Sequence, residues 1–429
     1  MRNQLVKKSK VFLMLLCVGV GGSIATAKEK PTEDLKALKE QMGQVLFNDT
    51  ALSRNRTMNC ASCHEPGRAY TDGRDSPIYK MVSTGADGSH FGDRNAPTAM
   101  YGRYHLPFSY DEKRKTYKGG VFWDGRAKDM AKQAGDPPLN QVEMMMPDKK
   151  TIIDRLKENP FYEENFKKIY GPDIWDDIEK AYAAMGDAIQ AYEHTEEFQP
   201  FTSKYDKYLR GEYELTTLED LGRTLFFSNN NVNCKTCHAL RTEDSPEEPF
   251  TSFEYHNIGV PTNPDLIKFL KFKDDYKDAG LQKNPLVNGD PKQAGKFKTP
   301  TLRNVAVTGP YMHNGVFKDL RTVVLFYDKY NNPDRKINPE TGKEWGPTDY
   351  EETVNLDDLK AQALTDRKVD ALVAFMKILT DEKYEHLLEE QDKAADKIPT
   401  DATTKVDAKA SNDEPVKVDV KASNIEPAK

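Results

Sequence analysis

Apolar residues recur at three- and four-residue spacing from Glu33 to Phe47, at Leu35, Leu38, Met42 and Val45/Leu46, which predicts an amphipathic helix with one buried face. The same periodicity returns at Ile152/Ile153/Leu156, broken before Pro160, and at Tyr182/Met185/Ile189/Tyr192. It appears again at Leu218/Leu221/Leu225, from Leu320 to Tyr330, and at Val369/Leu372/Val373/Met376/Leu379. Between these helices lie two long stretches, Thr71 to Gly120 and Ser245 to Pro300, rich in Gly, Pro, Asp, Asn and Tyr. They read as ordered but irregular segments of the kind that walls a pocket. Strand alternation is scarce. The pattern predicts a mostly α protein of two domains, 33–205 and 214–390, with the boundary near Gln199 to Glu214. Beyond Glu390 large apolar side chains almost vanish, and Val406-Asp407-Ala408-Lys409-Ala410-Ser411-Asn412 recurs as Val418-Asp419-Val420-Lys421-Ala422-Ser423-Asn424. Residues 391–429 are therefore expected to be a disordered, low-complexity tail, because nothing in them offsets the entropy of ordering.

Two of the helices lead into a short string that occurs twice, Asn59-Cys60-Ala61-Ser62-Cys63-His64 and Asn233-Cys234-Lys235-Thr236-Cys237-His238. Thiols three positions apart fall on one side of a helical turn, where they can add to the two vinyl groups of a haem, and the next imidazole then lies under the iron. The approach repeats too. Met42-Gly43-Gln44-Val45-Leu46-Phe47 precedes one site as Leu221-Gly222-Arg223-Thr224-Leu225-Phe226 precedes the other, so one cytochrome module is duplicated. Zinc ribbons space their Cys pairs by about 15–20 residues, far closer than Cys63 and Cys234, and neither a zinc site nor a thioredoxin-like pair needs the trailing His. Cys60, Cys63, Cys234 and Cys237 are thus expected to carry two c-type haems, with His64 and His238 as proximal iron ligands.

Composition bears on where such a protein works. Arg2, Lys7, Lys8 and Lys10, the apolar run Val11 to Val20 and the Ala25-Thr26-Ala27 cleavage site make residues 1–27 a signal peptide, which places the mature chain in the periplasm. Cys17 follows Leu16 rather than the small residue a lipoprotein signal wants, so no lipid anchor and no span are expected after cleavage. Loss of the leader's four cations takes the formal charge from −7 to −11. An acidic chain argues against nucleic acid and for small molecules or a basic patch on a partner protein.

Four further strings lie in order around the two sites: Arg94-Asn95-Ala96-Pro97-Thr98, Phe122-Trp123-Asp124-Gly125-Arg126-Ala127, Asn140-Gln141-Val142-Glu143-Met144, and Thr299-Pro300-Thr301-Leu302-Arg303-Asn304-Val305 through Thr308-Gly309-Pro310-Tyr311-Met312-His313-Asn314-Gly315. With these the chain, from about Leu35 to Leu379, resembles the bacterial di-haem cytochrome c peroxidases and their MauG-like relatives. The resemblance implies two cytochrome c-like α domains in tandem, one haem in each, and oxidation driven by hydrogen peroxide. It makes Glu143 the distal acid/base over the N-terminal haem, a job that suits a carboxylate able to take a proton from peroxide and return it to the leaving oxygen. By the same matching Gln133 and Pro137 line the distal pocket and Trp123 is the aromatic residue between the haems. Asn95 and the carbonyls of Thr308 and Pro310 hold a calcium ion, for which oxygen ligands are suited.

The resemblance leaves several positions open. His90 lies five residues before Asn95, out of register with the distal His of many peroxidases of the family, and reads as an exposed loop residue. His313 reads as a structural hydrogen-bonding residue. The far side of the C-terminal haem is matched by Tyr327, with Tyr330 a rival one turn on and core packing the plainer alternative. Tyr marks the MauG-like branch and Met the peroxidases. Three functions follow in order: a MauG-like enzyme oxidising an aromatic residue of a partner protein by long-range electron transfer, a cytochrome c peroxidase fed by a small redox protein, and a non-catalytic di-haem carrier. If each thiol pair is an independent attachment site, the double substitution Cys234→Ala, Cys237→Ala leaves one covalent haem per chain, read by mass and haem content; full retention would refute the two-site assignment.

Overall fold

A computed structural model describes residues 32–228, 232–238, 248–273 and 275–395, so the expected leader lies outside the described residues. The first half runs through helix α1 (Thr32–Phe47), the single turn α2 (Cys60–Cys63), the strands β1 (Ser109–Asp111) and β2 (Thr116–Lys118), and helices α3 (Met130–Ala134), α4 (Asp136–Leu139), α5 (Lys149–Lys157), α6 (Pro160–Tyr170) and α7 (Ile178–Glu193). Helix α8 (Lys204–Leu209) leads to the second half: α9 (Thr217–Phe227), α10 (Cys234–Cys237), β3 (Tyr255–His256), α11 (Pro264–Leu270), β4 (Phe297–Lys298), α12 (Leu320–Asp328), β5 (Ile337–Asn338), β6 (Lys343–Glu344), α13 (Asp366–Lys377) and α14 (Glu385–Ala395). Among the described residues the strands form three antiparallel pairs, β1–β2, β3–β4 and β5–β6. The chain is largely helical, as its periodicity predicts.

The duplication seen in the sequence is a duplication of packing. Helix α1 crosses α7 at Gly43, where a Cβ would sit 1.9 Å from the Ala188 carbonyl oxygen, and α9 crosses α13 at Gly222, where it would sit 1.9 Å from that of Ala371. Only glycine permits either approach. Near each crossing three rings gather on matching positions: Phe47, Tyr70 and Tyr192 in the first module, Phe226, Phe250 and Phe375 in the second. The irregular segments repeat as well. Thr98 Oγ1 donates to the Ala69 carbonyl as Thr301 Oγ1 donates to that of Pro249, and the Val121 N–H bonds Ala127 O as the Tyr311 N–H bonds Phe317 O.

Three expectations shift. Pro160, read as a stop, is the first residue of α6, where its missing N–H would be unpaired anyway; Asn159 caps the turn by accepting from the Phe161 N–H. The boundary segment is no free linker, because Tyr205 of α8 is buried in the second module's core and its N–H bonds Ile378 O. At the other end, Tyr384 and Leu387 pack into the first module's core, so the last described helix reaches the opposite half. That helix continues through Ala395, which makes 391–395 helical rather than part of the tail; the tail beyond lies outside the described residues.

Buried charges pin α8 to the second half and join the two halves. Arg303, 1% exposed, donates to both carboxylate oxygens of Asp206 at 2.9 and 2.7 Å and to the Glu248 carbonyl at 2.9 Å. Arg94 of the first half holds Asp278 of the second through two bonds, at 2.6 and 2.7 Å, while bonding Asp124 at 2.7 Å. Removing one partner of such a pair leaves an uncompensated buried charge, typically about 3–5 kcal/mol. Asp206→Ala is expected to destabilise the protein by that order in denaturant unfolding, whereas Lys150→Ala, at an exposed i,i+4 pair with Asp154, is expected to change stability little.

Candidate active site

Each Cys-x-x-Cys-His string forms one helical turn, closed by the His64 N–H on the Cys60 carbonyl and by the His238 N–H on that of Cys234, both at 2.9 Å. Asn59 and Ser62 brace the first turn reciprocally, and Asn233 with Thr236 braces the second. The thiols are not paired as disulfides. Burial pushes the Cys63 and Cys234 thiols up to about 12, the opposite of the acidified thiol a disulfide-exchange pair needs.

The imidazoles are oriented alike. His64 Nδ1 lies 3.0 Å from the Tyr70 carbonyl oxygen and His238 Nδ1 3.0 Å from that of Phe250. A carbonyl can only accept, so Nδ1 carries the hydrogen and Nε2 keeps the lone pair a metal needs. Burial lowers the pKa of His64 below its ordinary value and takes that of His238 to about 4, so both rings are neutral at physiological pH.

A cavity opens beside the second turn, walled by Cys234, Cys237, His238, Trp123, His313 and Tyr327. Tyr327 turns its ring into it, and among the described residues its hydroxyl has no hydrogen-bond partner, whereas the rival Tyr330 donates to the Ile258 carbonyl at 3.0 Å. Trp123 donates its indole N–H to the Asn95 carbonyl at 2.8 Å, and its own carbonyl accepts from the Lys298 N–H at 2.9 Å. Among the described residues His313 is held by stacking rather than by a ring hydrogen bond: its ring lies 3.5 Å from that of Phe297 at an interplanar angle of 10°, and burial takes its pKa down to about 3.

At the first turn Glu143 lies close enough to Cys63 for its charge to raise that thiol's pKa. Burial pushes the Glu143 carboxyl up to about 7, against the pull of Arg126. Its turn is pinned, since the Ala86 N–H bonds Glu143 O at 2.7 Å and the Met144 N–H bonds Pro137 O at 3.3 Å. Gln133, half-buried on α3, and Pro137 on α4 precede that turn. His90 is exposed and bonded to Asp87 at 2.6 Å. The Asn95 N–H bonds the His313 carbonyl at 2.7 Å, which ties its loop to the 308–315 string; among the described residues Asn95 Oδ1 and the carbonyls of Thr308 and Pro310 accept no hydrogen bond.

Residues 37–214 match the family described as di-haem cytochrome c peroxidase. The chain is 49% identical over 365 residues, 84% of its own length, to the methylamine utilization protein MauG of Paracoccus denitrificans, and spans 92% of that protein. The chain belongs to the di-haem cytochrome c peroxidase/MauG family. The cytochrome c peroxidase Ccp of Escherichia coli K12 is 30% identical over 74% of this chain and 57% of its own. Among solved structures, the di-haem peroxidase BthA of Burkholderia thailandensis aligns with a TM-score of 0.71 at 32% identity, over 83% of this chain and 88% of that one.

As a di-haem peroxidase the chain is an enzyme, and the family implies two c-type haems. The residues present fit them: two turns with adjacent thiols outside any disulfide, two neutral imidazoles each held at Nδ1 by a carbonyl, and a cavity at the second turn. The non-catalytic carrier reading gives way to that membership. Two cavity residues went unread in the sequence. Lys298 is buried with Nζ on the Gly120 carbonyl at 2.8 Å, and burial takes it down to about 7. His256, which burial would discharge, is instead pushed up to about 11 by its 2.9 Å bond to Asp358. Cys237, His256 and Asp358 bring ligating atoms within 4.8 Å of one another, but the proposed haem attachment claims that sulfur. Lys298 stands beside Thr299-Pro300, so the family string was the available signal; His256 had none.

Proposed function

We propose that this chain is an exported, MauG-like enzyme that uses hydrogen peroxide to oxidise an aromatic residue of a partner protein by long-range electron transfer. The observation that carries this reading is Tyr327, whose phenol faces the His238 cavity without a hydrogen-bond partner among the described residues. Burial raises its pKa above the ordinary tyrosine value, so a phenolate there needs a cation within bonding reach, and ferric iron is such a cation. Similarity to the Paracoccus denitrificans MauG over nearly that protein's whole length supports the same branch.

When bound, the haems supply the reduction of peroxide and the storage of its oxidising equivalents. The chain's own residues have separate tasks. Cys60, Cys63, Cys234 and Cys237 attach the haems, and His64 and His238 offer Nε2 to the irons. Glu143 takes a proton from peroxide and returns it to the leaving oxygen, a role matched to a carboxyl half-ionised at about pH 7. Gln133 offers an amide to the distal pocket, with Pro137 beside it. Trp123, held from both modules, is the aromatic between the two sites. Asn95 Oδ1 with the carbonyls of Thr308 and Pro310 holds one calcium ion between the loops that carry them. Residues 1–27 direct export to the periplasm, and among the described residues no helix is long and apolar enough to cross a membrane.

The second reading, a cytochrome c peroxidase drawing on a small redox protein, is favoured by the name of the Escherichia coli relative. A Met thioether at the second iron would raise the potential and suit an electron inlet, while a phenolate does the reverse. Two outcomes are expected. Glu143→Gln keeps the side chain's shape but removes the base, and should slow the reaction with peroxide by about 10²–10⁴-fold; the unmodified enzyme's rate should rise with pH through about 7, where Glu143 ionises, and the variant's should be flat. Ferric and ferrous spectra should change in Tyr327→His, and the unmodified enzyme should oxidise reduced cytochrome c poorly; a thioether–iron signature or fast cytochrome c turnover would hand the case to the second reading.

A further inference from the structure

The two ring clusters beside the CxxCH turns differ at two corresponding positions. Phe226 lies 5.9 Å from Phe250 and 5.2 Å from Phe375, all three without a polar atom. In the first module Phe47 lies 6.1 Å from Tyr70 and 5.5 Å from Tyr192, and the two added hydroxyls converge on one carboxylate. Tyr70 Oη donates to Glu197 Oε1 at 2.6 Å and Tyr192 Oη to Oε2 at 3.1 Å. Packing at these two positions does not call for hydroxyls, since Phe250 and Phe375 fill the corresponding places in the second module, where the nearby hydroxyl comes instead from Tyr205 of α8. A buried hydroxyl moreover costs free energy unless it is bonded.

Tyr70 is also the residue whose carbonyl accepts the His64 Nδ1–H, at 3.0 Å. Its ring is therefore connected to the proximal imidazole through one hydrogen bond and its own covalent frame. Tyr70 is fully buried, while Glu197 is an exposed residue able to pass a proton to water. Burial and the neighbouring Glu197 hold the phenol protonated at rest. Lys383 Nζ stands 5.9 Å from the ring centroid, so a charged ring would be repelled and a neutral one would not. An electron can leave such a phenol cheaply only if its proton moves at the same time, and an acceptor stands 2.6 Å away.

We propose that Tyr70 is a redox-active tyrosine that serves the N-terminal haem when no partner is docked. It gives one electron to the peroxide-oxidised haem centre and its phenolic proton to Glu197, leaving a neutral tyrosyl radical and a neutral carboxyl. The centre is reduced by one electron, and the oxidising equivalent moves to a buried ring away from the distal pocket. The proposal rests on the reading that peroxide reacts at the N-terminal haem. Phe250, in the corresponding place of the other module, has no proton to transfer and cannot act in this way.

The test mixes the holoenzyme with hydrogen peroxide, without reductant or partner, and follows the haem optically and the radical by freeze-quench electron paramagnetic resonance. The unmodified enzyme should show a tyrosyl radical appearing as the oxidised haem decays. Tyr70→Phe should lose that signal and keep the haem oxidised for longer, while Tyr192→Phe should retain it. Glu197→Gln preserves a hydrogen-bond acceptor but not the base, and should lose the signal as well; being an exposed substitution, it decides the matter if Tyr70→Phe lacks the resting haem spectrum of a folded protein. A radical that persists in Tyr70→Phe or Glu197→Gln, or an oxidised haem that decays with no tyrosyl radical in the unmodified enzyme, overturns the proposal. A haem that peroxide does not oxidise at all overturns the proposed function, and this inference with it.

Discussion

A backbone carbonyl bonded to Nδ1 holds each of the two buried imidazoles, and in both modules the residue that supplies it, Tyr70 or Phe250, has a left-handed backbone, with φ of 54° and 55°. For a residue with a Cβ that conformation costs about 1–2 kcal/mol. It is kept because the turn has to point the carbonyl inward, and the buried N–H would otherwise be unsatisfied. The bond sets which nitrogen holds the hydrogen and which way Nε2 points. The direction of Nε2 determines where a haem can lie, and with it whether Glu143, Trp123 and Tyr327 are useful.

A second constraint holds the two sites in register. Arg94 is clamped between Asp124 and Asp278, and Asp381 accepts from Tyr101, Asn304 and Thr202, so the charged groups that bridge the seam between the modules are paired. Such networks stabilise only when every member is paired, and they allow little sliding. Trp123 sits in this seam with its indole N–H and its carbonyl both engaged. Electron transfer falls steeply with distance, so a fixed seam matters more here than at a domain boundary that only tethers.

Duplication followed by local divergence explains much of the remaining chemistry. The glycine crossings, the threonine-bonded loops and the paired turns are shared, whereas Glu143 lies near one turn and Tyr327 lines the cavity at the other. The hydroxyls on Tyr70 and Tyr192 and the charged pair His256–Asp358 are further departures from a common frame. Each is a side-chain difference at the walls of a shared packing scheme, where function is grafted onto a fold.

The sequence alone was enough to place the helical faces around Met42 and Leu46 or Val369 and Leu372, and both Cys-x-x-Cys-His turns. Those signals are local: a helix buries residues three and four apart, and two thiols on one turn are set by covalent spacing. Family strings added Trp123, Glu143 and Asn95 as positions worth examining. Tertiary structure decided what local spacing leaves ambiguous. Tyr327 and Tyr330 fall on nearly the same helical face, and only the packing of α12 against residues far along the chain sends one to the cavity and the other to the Ile258 carbonyl. His256 and the crossing of Tyr384 and Leu387 into the first module's core were illegible for the same reason, and of Lys298 only its place beside a family string was visible, not its burial: burial and pairing are made by residues distant in sequence, and no periodicity records them.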